Sequence, residues 1–483
     1  MPKGITVVGL GPGLPGLLTI EADRLLRAAS EIYVRTSQHP TVRALPSSAA
    51  VRSFDEVYQQ LDSFEQVYAE IAARVVQLGQ REEGVVYAVP GHPLVGEASV
   101  RRVAALAGER DVPLRIVDGL SFVEPICVLL SLDPLDGLQI ADAMELALLH
   151  YPPFNPDVPV LLGQLYSRDL ASDVKLVLMA LYPDEHRVTL VRGAGTDQAA
   201  VSTIRLYELD RVNQIDHLTS LYVPPLAEPG SAQAFQEVVA RLRAPGGCPW
   251  DREQTHLSLR PYLLEETYEV LDALDRGDAG ALKEELGDLL LQILLHTQIA
   301  IEEGEFRMAD VVSHVVAKLV RRHPHVFGQV HVSGSDEVLV NWELIKQQEK
   351  HNDREKGALA AIPREMPALA RAESVLRRVA RLGLNWADAE GAWGKAQEEW
   401  QKLRQAATVE ERERHLGDLL LALVSLAGWL DVDAECALRE ATSHFETRFA
   451  ALERYAETQG QELGALGSEQ WLEMWGQGKR AGG

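Results

Sequence analysis

From its first residues the chain alternates short runs of β-branched and apolar residues with stretches in which apolar positions recur every three or four places. The runs are ITVVGL (5–10), VVYAV (85–89), LRIVDG (114–119), VPVLLGQL (158–165) and RVTLVRG (187–193), and TIEADRLLRAASEIYV (19–34) is typical of the helical stretches. Alternation at this spacing predicts an α/β domain with a mainly parallel sheet, here over residues 1–225. VPPLAEPGS (223–231) breaks the pattern with prolines and a glycine and reads as a linker, taken over 226–235. Beyond it strand signals almost vanish, and helical spacing predicts an all-α C-terminal half.

That half repeats itself. EELGDLLLQILLHT (284–297) returns as RHLGDLLLALVSLA (414–427), AKLVRRHPHVF (317–327) can be laid on SHFETRFAALE (443–453), and NWELIKQ (341–347) on MWGQGKR (474–480). Two copies of one helical unit are expected, residues 236–350 and 367–483, with a linker over 351–366. LLLQILLHTQIAI (289–301) is broken by Gln292, His296, Thr297 and Gln298, so it reads as a buried helix and not a membrane span.

A chain of 483 residues is too long for one ordinary core, which agrees with several domains. A formal charge of −24 opposes phosphate neutralisation along a polyanion, so duplex nucleic acid is excluded as a natural partner while a small phosphorylated ligand beside metal ions is not. Cys127, Cys248 and Cys436 are too scattered for a zinc knuckle or a disulfide framework. With no signal-length apolar run at the start, a reducing cytoplasm is the expected compartment.

The chemistry concentrates in PYLLEETYEVLDALDRGDAGALKEELGDLL (261–290). On a helix Glu265, Glu266 and Glu269 fall within roughly a 100° arc, and Glu285 and Asp288 stand three residues apart on a second helix. Gly277 and Asp278 supply a turn and an N-cap between the two, so an antiparallel hairpin brings both sets together. A solvated helix face carries glutamates as a matter of course, but five converging carboxylates repel one another and call for a cation. Oxygen ligands without a nearby Cys or His pair favour Mg²⁺.

The spacing Glu-Glu-x-x-Glu, fifteen residues, Glu-x-x-Asp resembles the signature of the all-α nucleoside triphosphate pyrophosphohydrolases. GGCPWDREQTHLSLRPYLLEETYEV (246–270) with KLVRRHPHVFG (318–328) resembles the MazG family, nearly continuously over 246–349. The resemblance implies Mg²⁺-dependent hydrolysis of a nucleoside triphosphate to the monophosphate and pyrophosphate. It implies Glu266, Glu269, Glu285 and Asp288 as metal ligands and Glu265 as a ligand or water-orienting base. Lys318, Arg321 and Arg322 become phosphate contacts. Trp342 and Lys346, one turn apart, and Trp250 become candidates for base stacking and phosphate contact.

The second copy departs from this pattern. Glu398 and Glu399 stand for Glu265 and Glu266, but Lys402 replaces Glu269 and His415 replaces Glu285, leaving Asp418 alone of the second pair. His444, Thr447 and Arg448 stand where the first copy has Lys318, Arg321 and Arg322, while Trp475 and Lys479 keep the Trp-x-x-x-Lys spacing. No tight metal binding is expected there. Since superfamily members place helices from two units around each site, the degenerate copy is expected to pair with the live one or, alternatively, the chain to form a homodimer, with Arg448 or Lys479 candidates to reach the substrate.

VVGLGPGLPGLLT (7–19) puts glycines straight after a strand, where backbone amides can approach a ligand, although Pro12 interrupts any dinucleotide fingerprint. With YAVPGHPLVGEASV (87–100), IVDGLSFVEP (116–125) and TLVRGAGT (189–196) it resembles the tetrapyrrole methylases, which bind S-adenosylmethionine between two α/β lobes. The resemblance points to Gly9, Gly11, Pro12, Gly13, Pro90, Gly91, Leu94, Val95, Ser121 and Phe122 as cofactor-side residues. His92 stands where many of those methylases carry Asp. Cations for a carboxylate-rich tetrapyrrole are sought in Arg35, His39 and Arg43.

A two-lobed methylase-like α/β domain followed by two MazG-like helical repeats, the first catalytic, is therefore expected. The leading function is a nucleoside triphosphate pyrophosphohydrolase acting in removal of non-standard nucleotides. The alternatives are an S-adenosylmethionine-dependent tetrapyrrole methyltransferase with a regulatory helical half and a non-catalytic nucleotide sensor.

Overall fold

A computed structural model of the chain describes residues 4–61, 63–349, 359–360 and 362–458. By its contacts the chain divides into two compact units, Met1–Val311 and Val312–Gly483.

The first unit opens with a five-stranded, wholly parallel sheet of β1 (Ile5–Gly9), β2 (Glu31–Val34), β3 (Ala50–Ser53), β4 (Val85–Val89) and β5 (Leu114–Val117), in the order β3-β2-β4-β1-β5. β4 is buried along its whole length and β1 nearly so, because a central parallel strand is covered on both faces. Helices α1 (Ile20–Ala28), α2 (Asp55–Gln60), α3 (Phe64–Gly79) and α4 (Ala98–Glu109) follow these strands, with Thr19 capping α1 through the Ala22 N–H and Ser63 capping α3 through Gln66. Gly79 lets α3 press onto β1, since a Cβ there would meet Ile5 Cγ1 at 2.4 Å.

After α5 (Val123–Leu130) a second sheet holds β6 (Gln139–Asp142), β7 (Val160–Gly163), β8 (Arg187–Arg192), β9 (Ala200–Arg205) and β10 (Thr219–Val223), in the order β6-β7-β10-β8-β9, with α6 (Ala143–Ala147) and α7 (Arg168–Leu178). Only β6 and β7 run parallel. The expectation of a mainly parallel sheet thus holds for the first lobe and not the second. β8 and β9 are joined by a glycine-bearing loop instead of a crossover helix, and that connection allows only an antiparallel pair. Two further readings need correcting. EIYV at the end of TIEADRLLRAASEIYV is β2, its β-branched and aromatic residues outweighing the helix that ends at Ala28. The helical part begins at Ala232, inside the expected linker, because Ser231 caps it while donating to Asp157 beside β7.

No strand follows β10 among the described residues. The rest of the first unit is α8 (Ala232–Arg243), α9 (Pro249–Glu253), α10 (Arg260–Arg276) and α11 (Ala279–Glu303), and α12 (Met308–Arg322) runs into the second unit, which continues with α13 (Pro324–Phe327), α14 (Ser335–Glu349), α15 (Ala368–Ala380), α16 (Ala389–Gln405), α17 (Val409–Trp429) and α18 (Ala434–Thr458). α8 lies on α11 through Val239, Leu294, Leu295 and Ile299, with Leu259. The apolar run 289–301 is only half buried, since Leu290, Ile293 and Ile301 are exposed. Among the described residues no helix is long and apolar enough to cross a membrane.

Candidate metal centre in the first helical hairpin

α10 ends on Gly277 at φ 63°, a left-handed conformation that favours glycine, and Asp278 accepts hydrogen bonds from the Gly280 and Ala281 N–H groups at the start of α11. The chain reverses in two residues, so α10 and α11 pack as an antiparallel hairpin. One carboxylate oxygen from each of Glu266, Glu285 and Asp288 lies within 4.8 Å of the others.

The electrostatics are those of an uncompensated anionic site. Desolvation, then the charges of Asp288 and Glu269, push the Glu266 carboxyl above the usual range, and its hydrogen bond with Glu269 and the exposed Glu265 push the same way. Glu285 is pushed up by desolvation and by Glu269, Glu284 and Asp288, against a small opposing effect of Arg276. Arg276 is drawn away by its ion pair with Asp272 at 2.9 Å. Oxygens sharing one octahedral Mg²⁺ stand about 3–4 Å apart, given metal–oxygen distances of about 2.1 Å. The three hard oxygens fit such an ion after a small rotamer adjustment, and a divalent charge offsets the repulsion that raises Glu266 and Glu285.

Trp250, half exposed on α9, meets the ring of Tyr262 edge-on at 5.8 Å, near the start of the acid helix. Sequence spacing did not single out Tyr262. In the second unit Lys318, Arg321 and Arg322 lie on α12, and the Arg322 guanidinium stands over the Trp342 ring at 5.5 Å. Lys346 belongs to α14, but its side chain, like Trp475 and Lys479, lies outside the described residues.

α16 and α17 form a second hairpin, in which Glu399, His415 and Asp418 bring one ligand atom each within 4.8 Å. By the sequence alignment of LGDLL and its flanks they stand where the first hairpin has Glu266, Glu285 and Asp288. Here the charge is answered from within. Buried Glu399 receives Lys395 Nζ at 2.7 Å, Lys402 Nζ at 3.0 Å and His415 Nδ1 at 3.0 Å, and Glu398 pairs with both lysines. The Lys395 and Lys402 hydrogen bonds hold Glu399 down to about 2. Lys395 escaped the sequence reading, although its i,i+3 and i,i+4 spacing to Glu398 and Glu399 was the available signal.

In the N-terminal domain the loops after β1, β4 and β5 meet at glycines. Gly11 and Gly91 exchange backbone hydrogen bonds of 3.3 and 2.9 Å, and a Cβ on Gly9 would strike Gly91 O at 2.6 Å and Gly119 Cα and Pro93 Cδ at 2.9 Å. Gly13 is closed in by Thr196, and Pro12 packs against Gly195 of the second lobe. These glycines therefore serve backbone packing, whereas Gly91, at φ 66°, faces open space beside half-buried Pro90 and exposed Leu94 and Val95. Buried Ser121 donates to Glu124 at 2.7 Å, and Phe122 fills the space over Gly163. His92 Nε2 lies 3.8 Å from Asp118, a carboxylate close to the one missing from the glycine loop.

The domain order, an α/β lobe pair ahead of an acid-lined helical hairpin, defines a fusion of a methylase-type and a pyrophosphohydrolase-type domain. Residues 4–210 match the Tetrapyrrole (Corrin/Porphyrin) Methylases family, and residues 254–327 match the MazG nucleotide pyrophosphohydrolase domain. The uncharacterized protein YabN of Bacillus subtilis is 39% identical over 493 residues, with 99% of both chains covered. The nucleoside triphosphate pyrophosphohydrolase/pyrophosphatase MazG of Thermotoga maritima is 42% identical over 248 residues, covering 51% of this chain and 95% of that relative. The nucleoside triphosphate pyrophosphohydrolase of Escherichia coli (strain K12) is 43% identical over 249 residues, 50% and 95% respectively. A uroporphyrin-III-C-methyltransferase from Thermus thermophilus aligns at TM-score 0.36 and 21% identity over 46% of this chain and 92% of its own. The chain belongs to the MazG family, with a tetrapyrrole methylase domain preceding its MazG domain.

Proposed function

We propose that this protein is a Mg²⁺-dependent nucleoside triphosphate pyrophosphohydrolase, converting a nucleoside triphosphate and water into the monophosphate and pyrophosphate, and that it acts in the cytoplasm on non-standard nucleotides. The observation that carries the reading is the convergence of Glu266, Glu285 and Asp288, with the Glu266 and Glu285 carboxyls raised by desolvation and by their acidic neighbours. A divalent ion held there supplies charge neutralisation for the phosphates and makes water a better nucleophile at neutral pH. Glu266, Glu285 and Asp288 hold it, Glu269 completes the set through its hydrogen bond with Glu266, and exposed Glu265 orients the attacking water and accepts its proton. From the sequence resemblance alone, Lys318, Arg321 and Arg322 are proposed for the leaving pyrophosphate and Trp250, Trp342 and Lys346 for the base and phosphates.

We assign the second hairpin, within a domain over 367–483, to a degenerate repeat of the first over 236–350. The equivalence of the two residue triplets supports this, and exposed Leu286, Leu290 and Ile293 on α11 recur as exposed Leu416, Leu420 and Leu423 on α17, faces suited to association within the chain or between copies.

The methyltransferase reading ranks below the hydrolase. Gly91, Leu94, Val95 and Asp118 form the rim that this second reading assigns to S-adenosylmethionine. Yet Arg35 is tied to buried Glu97 at 3.1 Å, and burial, with Arg35 nearby, takes His39 down to about 4, so it is neutral. Of the three cations sought for a polycarboxylate tetrapyrrole, only Arg43 is left.

The test is incubation with a panel of nucleoside triphosphates and Mg²⁺, separating products by chromatography. Monophosphate and pyrophosphate in equal amounts are expected. Orthophosphate release refutes the bond assignment, and nucleotide binding without turnover gives the sensor reading instead.

A further inference from the structure

The string LGDLL, at 286–290 in α11 and 416–420 in α17, sets the two helices in register. Ser425, Gly428 and Trp429 of α17 then stand where α11 has Leu295, Gln298 and Ile299. In the first unit these positions are filled. Leu295 and Ile299 are 2% and 3% exposed against α8, and Gln298 accepts from Gln236 at 3.3 Å and donates to Glu302 at 3.1 Å. α15 lies against α17 as α8 lies against α11. With Leu replaced by Ser and Gln by Gly, the same helix face opens into a cavity of about 590 Å³, bounded by α15, α17 and the turn into α18. A Cβ on Gly428 would meet no atom within 4 Å.

The walls of this cavity are rich in acceptors. Glu373, Asp431 and Asp433 line it with one cation, Arg377, which is paired with Glu373, while Asp433 Oδ1 also accepts from the Cys436 N–H at 2.8 Å. α15 and α17 both end beside it, and helix C-termini carry partial negative charge. A phosphate is repelled by such a wall. Trp429, 39% exposed, offers an aromatic face, and Ser425 and Asn385 offer hydroxyl and amide groups. The volume lies within the roughly 300–1,000 Å³ of small-molecule sites.

We propose that this cavity is a binding site for a phosphate-free nucleoside with an amino-bearing base, separate from the acid hairpin. The base lies against Trp429 and donates to the carboxylates and helix-end carbonyls, and the ribose hydroxyls meet Ser425 and Asn385. The site rests on the register of α11 and α17 and not on the proposed hydrolysis.

Calorimetric titration of the full chain in EDTA with adenosine, guanosine and cytidine tests this, alongside Gly428→Gln and Ser425→Leu, which restore the residues of the first hairpin. One saturable site per chain is expected. Each filling substitution should weaken it roughly tenfold or more, on the scale of added side-chain volume in a fitted pocket, without lowering the melting temperature. Asp288→Asn should leave it intact. Absence of saturable nucleoside binding, indifference to both filling substitutions, or loss of binding in Asp288→Asn would overturn the assignment. So would equally tight binding of the triphosphates or of spermidine, which would mark a phosphate site or a general cation sink.

Discussion

Glu266, Glu285 and Asp288 in one hairpin and Glu399, His415 and Asp418 in the other occupy matching positions, and each triplet gathers within 4.8 Å. The clustering is alike and the charge is opposite in consequence. In the first hairpin desolvation and then like charges raise Glu266 and Glu285, whereas in the second Lys395, Lys402 and His415 hold Glu399 at about 2. A helical hairpin of this kind sets where side chains meet, and only a few residue types decide whether it needs a metal to neutralise it or neutralises itself.

The contrast is broken most strongly by removing the metal. Chelation with EDTA should take nucleotide turnover to background, with recovery on adding Mg²⁺, as followed by product chromatography. Next in size is conversion of the quiet hairpin. Lys402→Glu combined with His415→Glu rebuilds a carboxylate set around Glu399, and Mn²⁺ titration followed by electron paramagnetic resonance should show one more bound ion per chain than wild type. If the count stays the same, the triplet equivalence does not extend to metal binding.

A smaller, oppositely signed effect is expected with pH in EDTA. Glu399, lowered in the folded state, contributes stability that is present above the ordinary carboxylate range of about 4.5 and lost as pH falls toward about 2. Glu266 and Glu285, raised in the folded state, are unfavourable when ionised, so mild acidification from neutrality relieves the first hairpin. Amide hydrogen exchange read separately on α10/α11 and α16/α17 should therefore move in opposite directions between neutral and acid pH. Smallest is Lys395→Met, which removes one of three partners of buried Glu399 and should lower the melting temperature by about 2–4 °C, the scale of ~1 kcal/mol.

Much of this was legible in the chain. Gly277 and Asp278 carry the turn and cap that their types require, and of the five acids expected to converge Glu266, Glu285 and Asp288 gather within 4.8 Å. What was hidden depended on partners distant in sequence. β3, with its three leading residues exposed at the sheet edge, shows no apolar run, and the antiparallel second sheet follows from a loop too short for a crossover helix. The glycines of the first loop looked like a ligand cradle, yet Gly9 and Gly13 make room for Gly91 and Thr196, contacts that no local pattern records. Ser425 and Gly428 read as ordinary helix residues until α15 is placed over them.

The central claim is that one hairpin is catalytic and its twin is not. Asp288→Asn and Asp418→Asn make the same change at matching positions, and their steady-state turnover of nucleoside triphosphate with Mg²⁺ tests it most directly. Asp288→Asn should lower kcat by roughly 10²–10³-fold, the scale of losing one electrostatic stabiliser, while Asp418→Asn stays within about twofold of wild type. Equal losses at the two positions, or full activity in Asp288→Asn, would contradict the account.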